Sequence, residues 1–347
     1  MNFSKSLIDW YLQNKRDLPW RKTTNPYNIW LSEIMLQQTR VAQGLPYYEA
    51  FISSFPTVFD LANASENEVL KLWQGLGYYS RARNLHATAK YIAYELDGVF
   101  PETYSLLLQL KGVGEYTAAA IASIAYGEEV PVVDGNVFRV LSRYFGIEDD
   151  ISQPKSKKVF RDLSNELLPK GKASLYNQAL MEFGALQCVP KSPNCSQCVF
   201  NVSCFALQHN RVGGLPLKLK KTKVVNRYLS YLVQRDCNGD FMIQKREGRG
   251  IWQNLFEFPF LEFDASKRDE EVVKCITKQF SPKMLTLMNE NTIVHKLSHQ
   301  HLHINFYELT FDKVILGALP LDEVLKRPFP IVIHNFIESN YVSYKEI

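Results

Sequence analysis

Four cysteines within 17 residues, Cys188-x6-Cys195-x2-Cys198-x5-Cys204, constrain this chain more than any other feature. Thiols spaced this closely, directly after a long helical stretch, imply a loop wound around a shared centre. Four thiolates can hold zinc or a [4Fe-4S] cluster. Structural zinc usually draws two Cys-x-x-Cys knuckles and only one occurs here, which favours the cluster. Between the first two ligands, Val189-Pro190-Lys191-Ser192-Pro193-Asn194 forms a stiff loop whose Lys191 can meet a nucleic-acid phosphate. Cys237 and Cys275 are isolated and read as inert core thiols.

Six cysteines suit a disulfide framework only in an oxidising compartment. The start of the chain lacks the apolar stretch of a signal peptide, with Asp9 interrupting early. No apolar run approaches the roughly 18 residues of a membrane helix. A cytosolic protein is therefore expected, and clustered thiols there mean metal or redox chemistry.

Residues 1–215 read as helical almost throughout. Amphipathic segments recur at 3–14, 27–40, 42–54, 66–73, 80–96, 102–110, 116–126, 136–145, 155–168 and 172–185, separated by Pro, Gly or Asn. Within them Leu110-Lys111-Gly112-Val113-Gly114 reads as a tight hairpin between two helices, with Gly112 and Gly114 supplying backbone conformations closed to other residues. Exposed N–H groups at the following helix N-terminus form an anion site suited to a phosphate. An ordinary helix-helix turn with a glycine cap fits the bare Gly-x-Gly equally well.

Two carboxylates stand out. Glu33 has Ile29, Trp30, Leu36 and Gln37 as helical neighbours, three of them apolar, so its pKa should be raised as a general acid requires. Asp134, in Val133-Asp134-Gly135-Asn136-Val137, reads as a helix N-cap, whose bonds favour the charged form. An acid beside an anion is the arrangement that cleaves glycosidic bonds. A paired Glu and a merely capping Asp are the plainer alternatives.

The formal charge of +4 is too small to prove nucleic-acid binding. Residues 1–215 carry 21 basic against 20 acidic side chains, and 216–347 carry 19 against 16. Much of the second excess is Lys218, Lys220, Lys221 and Lys223 after Gly213-Gly214-Leu215-Pro216, a basic, flexible linker expected over 205–226. From 227 to 347 the texture changes to α+β. Tyr228–Arg235 and Phe241–Glu247 read as strands around a Cys237-Asn238-Gly239-Asp240 turn. A helix over 267–280, strands over 292–297 and 302–311, and a helix from 321 follow. His295, His299, His301 and His303 crowd together without a carboxylate or thiol, and a metal site is the lesser reading of them.

The hairpin, Val133-Asp134-Gly135-Asn136-Val137 and the cysteine loop together resemble the helix-hairpin-helix superfamily of DNA glycosylases. Ser32-Glu33-Ile34-Met35-Leu36-Gln37-Gln38-Thr39 and Gly75-Leu76-Gly77-Tyr78-Tyr79-Ser80-Arg81-Ala82-Arg83 narrow the likeness to the A/G-specific adenine glycosylases, the MutY family. It covers the whole chain. Lys111 departs from the Pro common in such hairpins.

The resemblance implies a multi-domain enzyme: an all-α helix-hairpin-helix glycosylase domain over 1–215 with the [4Fe-4S] loop at 188–204, and a C-terminal α+β Nudix-like (MutT-like) domain over 227–347 that recognises the lesion. It implies that Glu33 protonates adenine and later activates water, that Asp134 stabilises the oxocarbenium ion, and that Tyr116 and Asn136 position them. Tyr116 stands where the endonuclease III branch carries a catalytic lysine, which implies a monofunctional enzyme. Gln38, Leu76 and Tyr78 match side chains that wedge a duplex from which the target base is flipped. Trp20 and Arg21 match residues near the adenine pocket. In Leu297-Ser298-His299, Ser298 and His299 match two of three members of a Phe-Ser-His turn that reads oxidised guanine. Arg268-Asp269-Glu270-Glu271 lacks the further glutamates of a Nudix hydrolase, which implies recognition alone. The implied partner is double-stranded DNA bearing A:8-oxoguanine or A:G, met by a monomer in the cytoplasm at the nucleoid. Another glycosylase of the superfamily, acting on thymine mismatches or oxidised pyrimidines, and a non-catalytic DNA-binding protein are the alternatives.

Overall fold

The computed structural model describes residues 2–219 and 223–342. The chain separates into two compact units, one formed by residues 1–63 and 84–221, the other by 64–83 and 222–347. Residues 64–83 thus group with the C-terminal part.

The first unit is helical. In chain order its helices are α1 (Phe3–Asn14), α2 (Pro26–Met35), α3 (Val41–Ser54) and α4 (Val58–Asn63). After α5 (Glu66–Leu72) and α6 (Ser80–Glu95) come α7 (Tyr104–Leu107), α8 (Glu115–Ala125), α9 (Gly135–Phe145), α10 (Pro154–Leu167), α11 (Ala173–Leu186) and α12 (Phe205–Gln208). Two expected helices are shorter than their patterns. The apolar run of α2 stops at Met35, because Gln38 adopts φ 57°. The 102–110 segment holds only α7 before unwinding into the hairpin.

A core of Leu7, Val140, Leu141, Phe160, Tyr176, Leu180, Phe183 and Phe200 joins α1, α9, α10 and α11. Its closest approach depends on Gly184, since a Cβ there would lie 2.6 Å from that of Asn136. The first turn of α9 is thereby pressed against α11. In the hairpin, Gly112 has φ 79° and a Cβ would collide with Asn84 at 2.7 Å. Gly114, by contrast, has an ordinary φ of −96°. Its role is spatial, because nothing stands within 4 Å of where its Cβ would be.

The second unit is built on strands β1 (Val225–Arg235), β2 (Gln244–Lys245), β3 (Phe256–Glu257), β4 (Phe260–Phe263), β5 (Met284–Leu287), β6 (Ile293–Lys296) and β7 (Gln300–Thr310). The main sheet runs β4-β1-β7-β5, with β6 also paired to β7, and β1 lies parallel to β7 over their full lengths. Helix α13 (Asp269–Phe280) covers one face through Val272 and Ile276, packed on Leu232, Tyr307 and Leu309. Short α14 (Leu321–Leu325) and α15 (Ile331–Ile337) follow, and Phe336 of α15 stacks on Phe306 at 3.8 Å. Helix α5 and the turn after it join this unit through polar ties. Asn254 donates to Glu66 (2.7 Å), Lys71 to the Arg327 carbonyl (3.3 Å), and the Phe329 N–H to Gln74 (2.9 Å).

The expected Tyr228–Glu247 hairpin forms only in part. Its turn is real, with Asp236 accepting the N–H groups of Asn238 and Asp240. Beyond a single bridge between Arg235 and Phe241, the second arm leaves β1, and Gln244–Lys245 pairs with β3 instead. The linker is less free than its composition suggested. Leu215 is buried, its carbonyl accepts from Arg143, and the Leu217 carbonyl accepts from Ile151 (3.0 Å), all within the first unit. Lys220 and Lys221 lie outside the described residues. Cys237 and Cys275 are exposed, not core thiols, since each follows the solvent side of a turn or helix.

Candidate active site and a cleft of the second unit

Glu33 sits in the last turn of α2, whose flanking residues Trp30, Leu31, Ile34 and Met35 are all buried. Glu33 is 7% exposed, and its carboxyl accepts the Tyr116 hydroxyl at 2.5 Å. Burial, opposed by that hydrogen bond and reinforced by the charge of Asp134, pushes its pKa up to about 7. Burial also raises the Tyr116 hydroxyl well above its ordinary range. The phenol therefore stays protonated, a donor to Glu33 and never a base.

Asp134 caps α9, accepting the Val137 N–H and the Asn136 amide at 2.7 Å each. The expectation that capping would hold its pKa down is corrected. Burial outweighs the bonds, and the carboxyl is raised above its ordinary value. The sequence displayed the cap but not the depth of the cleft into which it points.

One cavity of about 540 Å³ is lined by Glu33, Asp134, Tyr116 and Asn136, and also by Trp20 and Arg21. Trp20 packs edge-on against Tyr48 at 5.0 Å. Arg21 turns to Glu182, which it grips with both terminal nitrogens at 2.7 Å while Arg16 adds three more hydrogen bonds. Burial of Glu182 works against ionisation, but the two guanidiniums prevail and hold it at about 2. Sequence reasoning missed Glu182, although the signal that exposed Glu33 was present: a lone acid in the apolar helix Ala179-Leu180-Met181-Glu182-Phe183.

A second missed residue, Arg139, donates to the Asn136 side chain (2.8 Å), the Gly184 carbonyl (2.6 Å) and the Cys188 carbonyl (2.7 Å). It links the cap of α9 to the first cysteine. Arg143, one turn on and 3% exposed, donates to Cys188 Sγ (3.4 Å) and to the carbonyls of Leu215, Val189 and Pro190.

Cys188, Cys195, Cys198 and Cys204 surround one small apolar cavity. Two sulfurs accept hydrogen bonds, Cys188 from Arg143 and Cys198 from the Phe200 N–H (3.4 Å), as thiolate ligands would. Among the described residues no three Cys, His, Asp or Glu side chains converge on one ion. Four thiols lining one cavity are the donor set that a [4Fe-4S] cluster takes. Lys191 is exposed on the adjoining loop.

At the hairpin, Gly112 and Gly114 are exposed while the Val113 side chain is buried, so Val113 offers backbone only. Gln38 is exposed in its left-handed turn.

In the second unit, the turn Gly75–Tyr79 buries Leu76 (4% exposed) and presents Tyr78 (44%, φ 48°). Of the three expected wedge side chains, Gln38 and Tyr78 are exposed and Leu76 is held in the core, where the positive-φ residues Gly75, Gly77 and Tyr78 turn it inward. Tyr78 lines a cleft of about 460 Å³ together with Leu297, Ser298 and His299. Sequence reading had no means of placing those two segments together, 220 residues apart. Ser298 and His299 are exposed and meet at 3.2 Å. Trp252 and His295, 5.7 Å apart, complete the wall, and burial lowers the His295 pKa. His303 bonds Asn226 (3.0 Å), stacks on Tyr228 and lines a different cleft from His299.

Residues 31–169 match the family described as HhH-GPD superfamily base excision DNA repair protein, and 230–339 match the NUDIX domain. An adenine DNA glycosylase of Buchnera aphidicola subsp. Schizaphis graminum is 37% identical over 87% of this chain and 86% of its own length. The Mus musculus adenine DNA glycosylase is 44% identical over 92% of this chain and 72% of its own. Among solved structures, a thermostable thymine-DNA glycosylase superposes with a TM-score of 0.55 at 30% identity, covering 60% of this chain and 95% of that one. A trapped endonuclease III–DNA covalent intermediate gives 0.52 at 20% identity over 60% and 94%, a likeness of fold. No helix among the described residues is long and apolar enough to cross a membrane.

Proposed function

This chain belongs to the adenine DNA glycosylase family, and from that premise we propose that it excises adenine mispaired with 8-oxoguanine or guanine in double-stranded DNA, leaving an abasic site. The observation that carries the reading is one cavity lined by both Glu33 and Asp134, with the Glu33 carboxyl raised to about 7. Glycosidic cleavage requires a proton for the leaving base and a negative group opposite the cationic sugar. Glu33, protonated near neutrality, supplies the proton to adenine N7, and Asp134 faces the oxocarbenium centre. Glu33, now a carboxylate, then takes a proton from the attacking water. Tyr116 holds the Glu33 carboxyl and Asn136 the Asp134 carboxyl. A phenol at position 116 cannot form a Schiff base, so strand cleavage awaits alkali and the enzyme acts monofunctionally, as a monomer.

The cleft shared by Tyr78, Ser298 and His299 is read as the place where the base opposite adenine is recognised. A hydroxyl and an imidazole can hydrogen-bond N7–H and O8 of 8-oxoguanine, which guanine presents differently. Purified protein is incubated with duplexes bearing A:8-oxoguanine, A:G, G:T or an oxidised pyrimidine, and abasic sites are cut with alkali. Adenine should leave, fastest opposite 8-oxoguanine. Release of thymine or an oxidised pyrimidine alone, or of nothing, overturns the reading. Changing Ser298 and His299 to Ala should shrink the preference for A:8-oxoguanine over A:G by roughly one to two orders of magnitude, from about 1–3 kcal/mol per paired contact. Equal losses on both duplexes would assign the turn to general DNA contact.

Cys188, Cys195, Cys198 and Cys204 are proposed to hold a [4Fe-4S] cluster, which when bound supplies an anchor for the Lys191 loop. Arg143 secures the first ligand and three carbonyls around it. Purified protein should be brown and contain about four irons per chain. Zinc alone on metal analysis would overturn the cluster and leave the glycosylase reading intact.

A further inference from the structure

A second cleft of the helical unit, about 840 Å³, is open to solvent. One side is the N-terminus of α8 with Gly114, Glu115 and Tyr116; the other is α10, which contributes Lys157, Lys158 and Arg161. Asp134 and Gln38 lie along its length, so the cleft leads from the hairpin to the carboxylate of the active site.

Its charges are lopsided. Arg161 approaches Glu115 at 3.8 Å with both side chains largely exposed, and the two offset one another. Asp134 is turned to its own donors at the head of α9. Lys157 and Lys158 are exposed, and among the described residues neither has a carboxylate within ion-pair distance. The facing α8 terminus has no side-chain cap, and Gly114 leaves its N–H groups uncovered. Two ammonium groups without an ion-pair partner among the described residues and a row of open donors face each other across a trough that ends at the candidate catalytic anion. An extended polyanion fits this trough; a neutral or cationic chain would leave the lysines uncompensated.

We propose that this trough carries the sugar-phosphate backbone of the strand bearing the target nucleotide, with Lys157 and Lys158 of α10 as its phosphate clamp. The hairpin alone would hold the strand at one point. A second point across the trough fixes the direction in which the strand passes Asp134, and so presents the flipped sugar to the carboxylates. The inference rests on the proposed glycosylase function, and binding tests it independently of excision.

Affinity for an A:8-oxoguanine duplex is measured from about 50 to 200 mM salt, where each neutralised phosphate adds about 0.9 to the slope of log K against log salt. Changing Lys157 and Lys158 to Gln should lower the slope by roughly two. Changing Lys155 and Lys170 to Gln, exposed positions outside the trough, removes the same charge and should alter the slope far less. E115Q should tighten binding. Single-turnover excision at saturating DNA should slow for the Lys157 and Lys158 variant, which no longer fixes the strand past Asp134, and stay close to the parent for the Lys155 and Lys170 variant, whose side chains line neither the trough nor the cavity of Glu33. Equal slope changes in the two double variants would mean that only overall charge matters, and an unchanged slope would mean that no phosphate lies on α10; either overturns the clamp. A parent that binds with the expected slope yet excises no adenine would overturn the function and leave the clamp standing.

Discussion

E33Q will lower adenine excision by about two to four orders of magnitude, the usual contribution of a positioned general acid, with duplex binding nearly unchanged. The amide matches the carboxyl in shape and can still accept the Tyr116 hydroxyl, but it has no proton to give. The parent should lose activity about tenfold per pH unit above about 7, as Glu33 ionises. Stability gives a second readout. Folding raises this carboxyl from its ordinary 4.5 to about 7, so the linked stabilisation is fully present below about pH 4.5 and is lost as pH rises to about 7. E33Q removes the buried titration. Its melting temperature should therefore vary less across that window, and at pH 8 it should equal or exceed the parent's. A structural Glu would behave oppositely, leaving turnover intact and lowering stability at pH 8. That pattern would remove Glu33 from the chemistry.

The helical unit was legible because its apolar residues recur at helical spacing between clear stops, and most helix ends fall within a residue or two of the pattern. The failures have particular causes. Gln38 takes a left-handed conformation that no propensity announces, which cut α2 short. Strands β4 and β5, each four residues long, were overlooked. Glu33 was readable from an apolar stripe, but buried Glu182 and its partners Arg16 and Arg21 are residues more than 160 positions apart. The same holds for Tyr78 and Ser298 in the second unit: each motif could be seen, but not that they share a cleft. Local chemistry was visible in the chain, whereas depth of burial, which set the direction of the Asp134 shift, was a property of the assembled cavity.

D134N should reduce excision by about two to three orders of magnitude, the cost of removing one preorganised group that faces charge developing in the transition state. Loss of the helix cap cannot account for so large an effect. Asn caps a helix about as well as Asp, and the Val137 N–H keeps an acceptor. D134S retains a capping oxygen without the charge and should be comparably inactive while folded. The pH profile carries the sharper distinction. After burial and the Tyr116 bond, the charge on Asp134 is the next influence on Glu33, and it pushes that carboxyl upward. Without it Glu33 will ionise at lower pH, so the residual activity of D134N should begin to fall at a pH below the parent's limit near 7. A pair coupled in this way titrates as a unit, and the limit read from kcat/KM belongs to both groups. An unchanged limit would mean that the carboxyls do not sense one another across the cavity, and full activity in D134N would leave Asp134 as a helix cap alone.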